Sequence, residues 1–289
     1  MKIDFRKLRC LLFLDRERKK LPPAAFAYCK KPEISVVLLT FNQWTYTDLC
    51  LRSLALAQKT SPPMEVIVVD NASEDETSAE LKKIPGLKVV LNKKNRGYAG
   101  GNNQGIRASR GHDIVLLNND TVLSPETLAR LQAHARSLKG TALLGPSTNT
   151  ETGQDLPSAR YQSLQQFFAL NRRLKNDKPL VPSIKLSGLC LYIPRRTLNK
   201  VGLLDEKFGL GYFEDDDYCL RVSDQGGKLF FAKDVFVHHF GSVSFQNLQR
   251  SKKQYVDRGI DCFVAKWGKR GLDHIAQNHR KIFAVSTTS

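Results

Sequence analysis

Four short apolar runs, each followed by a polar or helical stretch, are the feature that most constrains the fold of this chain. They are rich in Val, Ile and Leu and span residues 34–40, 65–70, 87–91 and 113–118. Continuous apolar runs of this length are typical of strands that are buried on both faces of a parallel sheet. Strands that alternate with helices favour right-handed βαβ units. The sequence therefore predicts an α/β protein with a mostly parallel, doubly wound, Rossmann-like sheet.

The second half of the chain has a less regular pattern. A helix is predicted over residues 124–138, because Ser124 is a suitable N-cap and Pro125 suits the first turn. Residues 145–183 are rich in polar and turn residues, which predicts mobile loops. Strand patterns return over residues 186–194 and, as a predicted pair, over residues 228–241. The last forty residues have a helical pattern.

The charge of the chain is strongly positive and is concentrated at its ends. The sequence has 45 basic and 28 acidic residues, a formal net charge of +17. We expect a basic N-terminal extension (1–32), a central domain (33–245) and a basic helical tail (246–289). Such ends favour an anionic membrane surface as a partner. Because no basic motif is interleaved with aromatic residues, nucleic-acid binding is the less favoured alternative.

The cysteines and the hydropathy pattern bear on the expected location. Six cysteines are scattered along the chain without a CxxC pair, as expected of reduced thiols in a cytosolic protein. No apolar run approaches the ~20 residues of a transmembrane helix. We therefore expect a cytoplasmic protein, peripheral on the inner face of the cell membrane.

Polar residues follow three of the predicted strands, at residues 40–42, 70–73 and 118–120. In open α/β sheets, ligands bind beyond the carboxyl ends of the strands, so these residues are expected to line one crevice. A glycine-rich segment begins the helix after the third strand. Glycines there allow backbone N–H groups to approach a pyrophosphate, although a glycine-rich turn is the simpler interpretation. The segment is neither a P-loop nor a GxGxxG motif.

Four adjacent acids at residues 214–217 are the most informative polar feature. Like charges repel one another, and the N-terminus of a helix is a place where they are tolerated. Asp217 and Arg221 are spaced to form an exposed i,i+4 ion pair. The other acids then remain candidates for a general base or for partners of a metal site. Adjacent His238 and His239 end the last strand and are expected to point to opposite faces.

Several motifs occur together in a characteristic order and spacing. They are VVLLTFN, EVIVVDNASEDET, NRGYAGGNNQG, DIVLLNNDT, LSGLCLYIPRR, VGLLDEKF and FEDDDYCLR. Over roughly residues 33–245 the chain resembles the family 2 glycosyltransferases of the GT-A fold, and among these the rhamnosyltransferase-like bacterial branch. The resemblance implies a nucleotide-sugar half (33–124), a fused acceptor-binding half (125–245) and a C-terminal helical tail.

The resemblance also implies a donor site. Thr40 and Asn42 would lie beside the nucleotide, and Asp70 would accept the N–H of a uracil or thymine ring. Residues 118–120 stand where the family has an Asp-x-Asp motif, so Asp120 keeps the metal-binding carboxylate while Asn118 replaces the first acid. The full set of residues implied around the donor is Thr40, Asn42, Asp70, Asn71, Asn95, Arg96, Gly97, Gly100, Gly101, Asn118 and Asn119.

The catalytic and acceptor residues follow from the same resemblance. Asp215 matches the general base of the family. His238 best matches the metal-proximal histidine, with His239 as the alternative, and the metal would be Mg²⁺ or Mn²⁺. The residues implied at the acceptor are Ser187, Gly188, Glu214 and Asp216.

The implied activity is inverting transfer from a dTDP- or UDP-sugar, with dTDP-rhamnose as one candidate, in cell-surface polysaccharide synthesis. The acceptor would be a hydroxyl of a glycan or a lipid-linked sugar. Because Asn118 removes one negative charge from the metal site, a catalytically impaired sugar-nucleotide-binding protein is the alternative.

Overall fold

The computed structural model describes residues 15–149, 153–156, 159–174, 177–241 and 252–278. The strands are β1 (Ile34–Thr40), β2 (Met64–Asp70), β3 (Lys88–Leu91), β4 (Asp113–Asn118), β5 (Thr121–Val122), β6 (Ala142–Thr148), β7 (Leu180–Ser183), β8 (Cys190–Ile193) and β9 (Lys228–His239). The helices are α1 (Trp44–Gln58), α2 (Thr77–Leu81), α3 (Gly97–Ala108), α4 (Thr127–Ser137), α5 (Leu164–Arg173), α6 (Arg195–Val201), α7 (Glu214–Asp224) and α8 (Lys252–Asn278).

The strands form one sheet in the order β3-β2-β1-β4-β8-β6-β9-β5, with β7 paired to β9. The first four strands of this order are parallel, which confirms the prediction from their apolar runs. Antiparallel pairing begins where β8 lies against β4, and β6 and β9 are again parallel. The architecture is therefore the expected α/β fold, with a parallel first half and a mixed second half.

Helices cover both faces of the sheet. On one face, α1 and α4 pack their leucines against β1, β2 and β4. On the other face, α3, α6 and α7 pack against the same strands and β8. Because both faces are covered, β2 is buried along its whole length. This burial explains why its sequence is apolar without alternation.

The prediction of mobile loops over residues 145–183 is wrong for much of that segment. The end of β6, the whole of α5 and β7 lie within it. Helix α5 begins at a Ser163 cap that accepts a hydrogen bond from the backbone N–H of Gln166. Its Leu164 and Phe167 are buried in an aromatic cluster with Phe236. Residues 228–241, predicted as a strand pair, instead contain the single strand β9.

The N-terminal segment from residue 15 onwards packs onto the domain. Arg18 lies 2.7 Å from Asp48 on α1, and Arg52 holds the same carboxylate. Phe26 is buried in the main core, and its backbone N–H donates to the carbonyl of Pro85. The described part of the predicted extension therefore contacts the fold between residues 15 and 29, and the boundary at residue 32 stays a prediction. Residues 1–14, the rest of the predicted extension, lie outside the described residues.

The C-terminal helix α8 is docked against α7. Its Phe263 and Ile275 are buried with Phe213 and Leu220. The described part of the predicted tail is thus helical, with a break at Gly268, where φ is +54°. Polar contacts between α8 and α7 supplement this apolar packing.

Asp217 is the centre of those polar contacts. Its carboxylate accepts hydrogen bonds from Arg221 and from Trp267 Nε1, each at 2.9 Å. The same carboxylate lies 2.7 Å from Lys266 Nζ. The predicted pair with Arg221 is confirmed, but its predicted exposure is wrong because Asp217 is fully buried. The difference arises because α8 covers this face of α7.

We expect Asp217→Asn to lower the free energy of unfolding by about 3 kcal/mol, because it leaves cationic partners beside a buried neutral amide. Asp224→Asn on the same helix is the matched control, since Asp224 forms an exposed pair with Arg270 and should cost less than about 1 kcal/mol. Urea unfolding followed by circular dichroism measures both. Equal effects of the two variants would contradict the role assigned to Asp217.

Candidate active site

The carboxyl ends of β1, β2 and β4 carry a connected set of polar side chains. Thr40 Oγ1 lies 2.8 Å from Thr47 Oγ1, and Asn119 Nδ2 donates to both hydroxyls. Thr40 and Asn119 are almost fully buried, so these side chains fasten β1 to β4 and α1. Their predicted contact with a ligand remains a prediction.

Asn42 and Gln43 turn the chain sharply after β1. Both have left-handed backbone conformations, with φ of 54° and 64°. The Asn42 side chain accepts from the backbone N–H of Glu74 at 2.7 Å, which ties the β1 turn to the segment after β2. An open cleft of about 450 Å³ lies between the two segments, lined by Asn42, Gln43, Trp44, Thr45, Glu74, Asp75 and Glu76.

Asp70 lies at the end of β2 beside this cleft. One carboxylate oxygen accepts the backbone N–H of Ser73 at 3.0 Å, and Ser73 Oγ in turn accepts the N–H of Asn42. The carboxylate is only 2% exposed. These contacts fix Asp70 next to the turn at Asn42.

Asn71 organises the segment that leads into α3. Its amide donates to Asn95 Oδ1 and to the carbonyl of Gly97, each at 3.0 Å. Its oxygen accepts the backbone N–H of Arg96. Asn71 and Asn95 therefore shape the turn at the N-terminus of α3, on which Arg96 is an exposed cation.

The glycines of α3 have a packing role. A Cβ at Gly97 would lie 1.9 Å from the carbonyl oxygen of Gly209, and a Cβ at Gly101 would lie 2.3 Å from Leu39. Gly97 also has a φ of +72°, which favours glycine. A Cβ at Gly100 would lie 3.1 Å from Arg96 Cβ, so a side chain is less strongly excluded there. Close contact with the sheet and with residues 209–210 thus explains why glycines occupy these positions. The contact of this segment with a diphosphate stays a prediction.

Asp120 and His239 lie together at the end of β4. Strand β5 pairs antiparallel with β9, with Thr121 opposite His239. His239 Nε2 is 3.2 Å from Asp120 Oδ1. Of the two predicted candidates for a metal-proximal histidine, the alternative, His239, is therefore the one that lies beside Asp120, and the first choice, His238, does not.

His238 points into an aromatic cluster. Its Nδ1 is hydrogen-bonded to the hydroxyl of Tyr161, and its ring lies edge-on to Phe240 at 4.4 Å. Burial, with a smaller contribution from His239, lowers the pKa of His238 to about 4. Its Nε2 is buried without a hydrogen-bond partner among the described residues. His238 is thus a neutral ring that packs against Tyr161 and Phe240 and does not face Asp120.

The Asp120–His239 pair is suited to share a divalent ion with a ligand. Carboxylate oxygen and imidazole nitrogen are donors that Mn²⁺ accepts readily, and Mg²⁺ favours the oxygen. Within the described ranges, no group of three or more His, Cys, Asp and Glu side chains could hold a metal ion. The residues therefore fit an ion that takes its remaining ligands from water or from a bound diphosphate.

The four acids at the start of α7 have different surroundings. Asp215 is partly exposed, and its Oδ2 accepts the backbone N–H of Gly188 at 2.8 Å. Glu214 is buried, and its Oε2 has no partner among the described residues. Burial, and then the charge of Asp215, raises the pKa of Glu214 well above its usual range.

Asp216 faces α8. Its Oδ1 lies 2.6 Å from His274 Nε2, and both side chains are buried. The carboxylate of Asp216 therefore faces the protein interior, and its predicted place at the acceptor stays a prediction. The carboxylate of Asp215 instead contacts the backbone of Gly188, just before β8.

Gly188 joins the two halves of the site. Its carbonyl accepts the hydroxyl of Tyr98 at 2.5 Å, while its N–H holds Asp215. The next residue, Leu189, accepts the N–H of Asn118 at 2.9 Å. The start of β8 thus lies between Asp215 and the Asn118–Asp120 segment. Ser187, next to Gly188, donates its N–H to Gln154.

Sequence reasoning missed three residues of this site. Tyr98 lies within the glycine-rich motif but was not singled out. Lys185, which lies 3.5 Å from Asp216, and His274 come from segments with no motif of their own. Only Tyr98 had a signal that sequence reasoning could have used.

Comparisons with known proteins identify the family of the chain. The family model described as Glycosyl transferase family 2 matches residues 35–190. The chain is 35% identical over 272 residues to the succinoglycan biosynthesis protein ExoO of Rhizobium meliloti (strain 1021), covering 88% of this chain and 74% of ExoO.

Two solved structures have a similar fold. GalNAc-T7 with UDP, GalNAc and Mn²⁺ superposes with a TM-score of 0.58 at 18% identity, over 84% of this chain and 49% of that chain. The mannosyltransferase PcManGT from Pyrobaculum calidifontis, in complex with GDP-Man and Mn²⁺, superposes with a TM-score of 0.54 at 17% identity, over 95% and 72%. The chain thus spans about half the length of the first of these structures.

The match to the family model extends from β1 to the start of β8, and the identity to ExoO extends over most of the chain. These two matches show the family, and the two solved structures show the fold. This chain belongs to glycosyl transferase family 2, has a GT-A-like fold and is a glycosyltransferase.

Proposed function

We propose that this glycosyltransferase moves a sugar from a nucleoside diphosphate to the hydroxyl of a glycan or lipid-linked sugar, with inversion at the anomeric carbon. The observation that carries the proposal is the position of Asp215. Its carboxylate is held by Gly188 at the start of β8, and the same strand start is bonded to Asn118, two residues before Asp120. The proposed proton acceptor and the proposed ion site would therefore lie on one edge of the sheet.

The donor nucleotide is proposed to bind at the ends of β1 and β2. Asp70 is fixed by Ser73 beside the turn at Asn42, and a carboxylate there can accept a ring N–H of uracil or thymine. Arg96, exposed at the N-terminus of α3, is a suitable cation for the diphosphate. A guanine nucleotide, as in the PcManGT structure, also carries a ring N–H and is the competing donor. That the donor is dTDP-rhamnose, and the transferred sugar rhamnose, also stays a prediction.

Asp120 and His239 are proposed to hold Mn²⁺ or Mg²⁺ together with the diphosphate oxygens. When bound, the ion supplies positive charge that stabilises the leaving diphosphate. Asn118 leaves the site with one carboxylate, so the ion is expected to bind weakly until the diphosphate contributes its own oxygens. If the chain is instead a catalytically impaired sugar-nucleotide-binding protein, it should bind the nucleotide with the same affinity but transfer no sugar.

Asp215 is proposed to act as the general base. A base must reach the acceptor hydroxyl and carry no proton when the reaction begins. Asp215 is the partly exposed acid of the four, and its Oδ1 and Oδ2 each accept one backbone N–H. It removes the acceptor proton while the acceptor oxygen attacks the anomeric carbon from the face opposite the diphosphate. A single displacement of this kind inverts the configuration.

Ser187, Gly188 and Glu214 surround Asp215 and are proposed to border the acceptor. The relative ExoO is named for succinoglycan biosynthesis, which supports a role in the synthesis of a cell-surface polysaccharide. No helix among the described residues is both long and apolar enough to span a membrane. The net charge of +17 supports peripheral contact with an anionic membrane as the place where a lipid-linked acceptor is met.

UDP or dTDP should bind roughly tenfold or more tightly with Mn²⁺ than with EDTA, since Asp120 would hold an ion whose positive charge attracts the diphosphate. Asp120→Ala should remove this difference, whereas Glu80→Gln, an exposed carboxylate on α2, should retain it. Calorimetric titration of UDP, dTDP and GDP with Mn²⁺, Mg²⁺ or EDTA measures the affinities. Equal affinity with and without metal would overturn the metal site, and a preference for GDP would overturn the pyrimidine donor.

Asp215→Asn should lower kcat by ~10²- to 10⁴-fold while donor affinity and melting temperature are retained, because only the proton acceptor is lost. Asp216→Asn is the matched neighbour and should keep most of the transfer activity. The measurement is turnover with a competent acceptor, beside the donor affinity of each variant. An active Asp215→Asn together with an inactive Asp216→Asn would assign the base to the other carboxylate.

The full-length chain should float with phosphatidylglycerol vesicles at low salt and be released at high salt. Each basic residue near an anionic surface contributes roughly 1 kcal/mol. A full-length variant with Lys2, Arg6, Lys7 and Arg9 changed to Gln should therefore float less, and neutral phosphatidylcholine vesicles serve as the control. Absence of flotation with the anionic vesicles would contradict the membrane role of the basic N-terminus.

A further inference from the structure

A buried histidine from the C-terminal helix contacts the acid that lies next to the proposed base. His274 Nε2 is 2.6 Å from Asp216 Oδ1, and the two side chains are 5% and 2% exposed. The ring of Phe263 lies against the His274 imidazole, with centroids 5.6 Å apart. Helix α8 lies beyond residues 35–190, the part matched by the family model. This contact therefore belongs to the part of the chain for which that match implies no role.

The other oxygen of Asp216 faces a lysine. Lys185 Nζ lies 3.5 Å from Asp216 Oδ2, and its side chain is 13% exposed. Lys185 comes from the segment between β7 and β8, and His274 comes from α8. Two separate segments thus place a basic group at each end of one carboxylate. The charged and titratable groups around Asp215 and Asp216 include Glu214, Asp217 and Cys219 on α7, Tyr98 on α3, Lys185 before β8 and His274 on α8.

Asp216 matters to Asp215 because adjacent carboxylates disfavour each other's ionisation. Burial, and then the charge of Asp216, raises the pKa of Asp215, whereas Lys185 and the N–H of Gly188 lower it. A group that offsets the charge of Asp216 therefore favours the ionised form of Asp215. His274 is in direct contact with that charge and is shielded from water, where screening is weak.

Resting on the proposed function, we propose that His274 is a positioning residue for the general base. It holds the Asp216 carboxylate against α8 and offsets its charge, so that Asp215 carries no proton when the acceptor binds. The C-terminal helix is thereby part of the catalytic apparatus without touching the substrate. A purely structural His274 would affect the melting temperature and leave the pH dependence of transfer unchanged.

The test is the pH dependence of kcat with saturating donor and acceptor. In His274→Gln, less of the charge of Asp216 is offset, so the pKa of Asp215 rises and the acidic limb moves to higher pH. We expect a shift of ~0.5 pH unit, a roughly threefold loss of kcat at a fixed pH on that limb, with recovery at the alkaline plateau. Arg270→Gln is the matched control on α8, because Arg270 pairs with the exposed Asp224, and its limb should stay in place.

A double-mutant cycle separates this effect from general damage to the helix. Asp216→Asn removes the repelling charge, so its acidic limb should move to lower pH. Adding His274→Gln to Asp216→Asn should cause no further shift, because the charge that His274 offsets is gone. Lys185→Gln removes the other basic group beside Asp216 and should move the acidic limb in the same direction as His274→Gln. This variant replaces His274→Gln in the test if the latter does not fold.

Three results would overturn the inference. They are a His274→Gln profile that coincides with the wild type, a limb that moves to lower pH, and a shift of equal size in the Asp216→Asn background. If the wild-type chain transfers no sugar to any acceptor, the proposed function fails instead, and the two failures are thereby distinguished.

Discussion

The backbone of Gly188 is the point on which the geometry of the site depends. Its N–H holds the Asp215 carboxylate, and its carbonyl accepts the hydroxyl of Tyr98. A side chain here has no room, because a Cβ would lie 2.7 Å from the Tyr98 hydroxyl. The backbone of one residue therefore connects α7, α3 and the start of β8. These three elements carry the acid, the glycine-rich turn and the neighbour of Asn118.

The acids of α7 show how a run of like charges is resolved by its surroundings. Asp217 is fully buried and is matched by Arg221, Trp267 and Lys266. Asp216 is matched by His274 and Lys185. Asp215 accepts backbone N–H groups and stays partly exposed. Partners thus surround the acids that face α8, while the acid at the open edge keeps access to a ligand.

The fold was largely predictable because it follows from local patterns. The apolar runs of β1, β2 and β4 are signals of burial on both faces, and the polar residues after them follow from chain direction. The mixed second half was less predictable. Helix α5 depends on an aromatic cluster with Phe236, about seventy residues away. Such a contact cannot be predicted from short-range periodicity.

The parts of the site that sequence reasoning missed or misplaced are set by tertiary contacts. The exposure of Asp217 and the direction of Asp216 depend on α8, some fifty residues further along the chain. A sequence pattern places both acids on one helix turn, but it does not say which side of that turn another helix covers. The motifs predicted a role for Asp215, and the packing of α8 explains why Asp216 and Asp217 face the protein interior.

The irregular pairing of β9 has a consequence for comparing relatives of this chain. Between Pro146 and Ser147 of β6, the pairing jumps from Ala232 to Phe236, so residues 233–235 of β9 are passed over. Side chains alternate faces along a strand, so the length of this irregular stretch sets which of His238 and His239 meets Asp120. A relative with one residue more or fewer there would present the other histidine from the same structural position. Histidines in this family are therefore better matched by strand register than by alignment column.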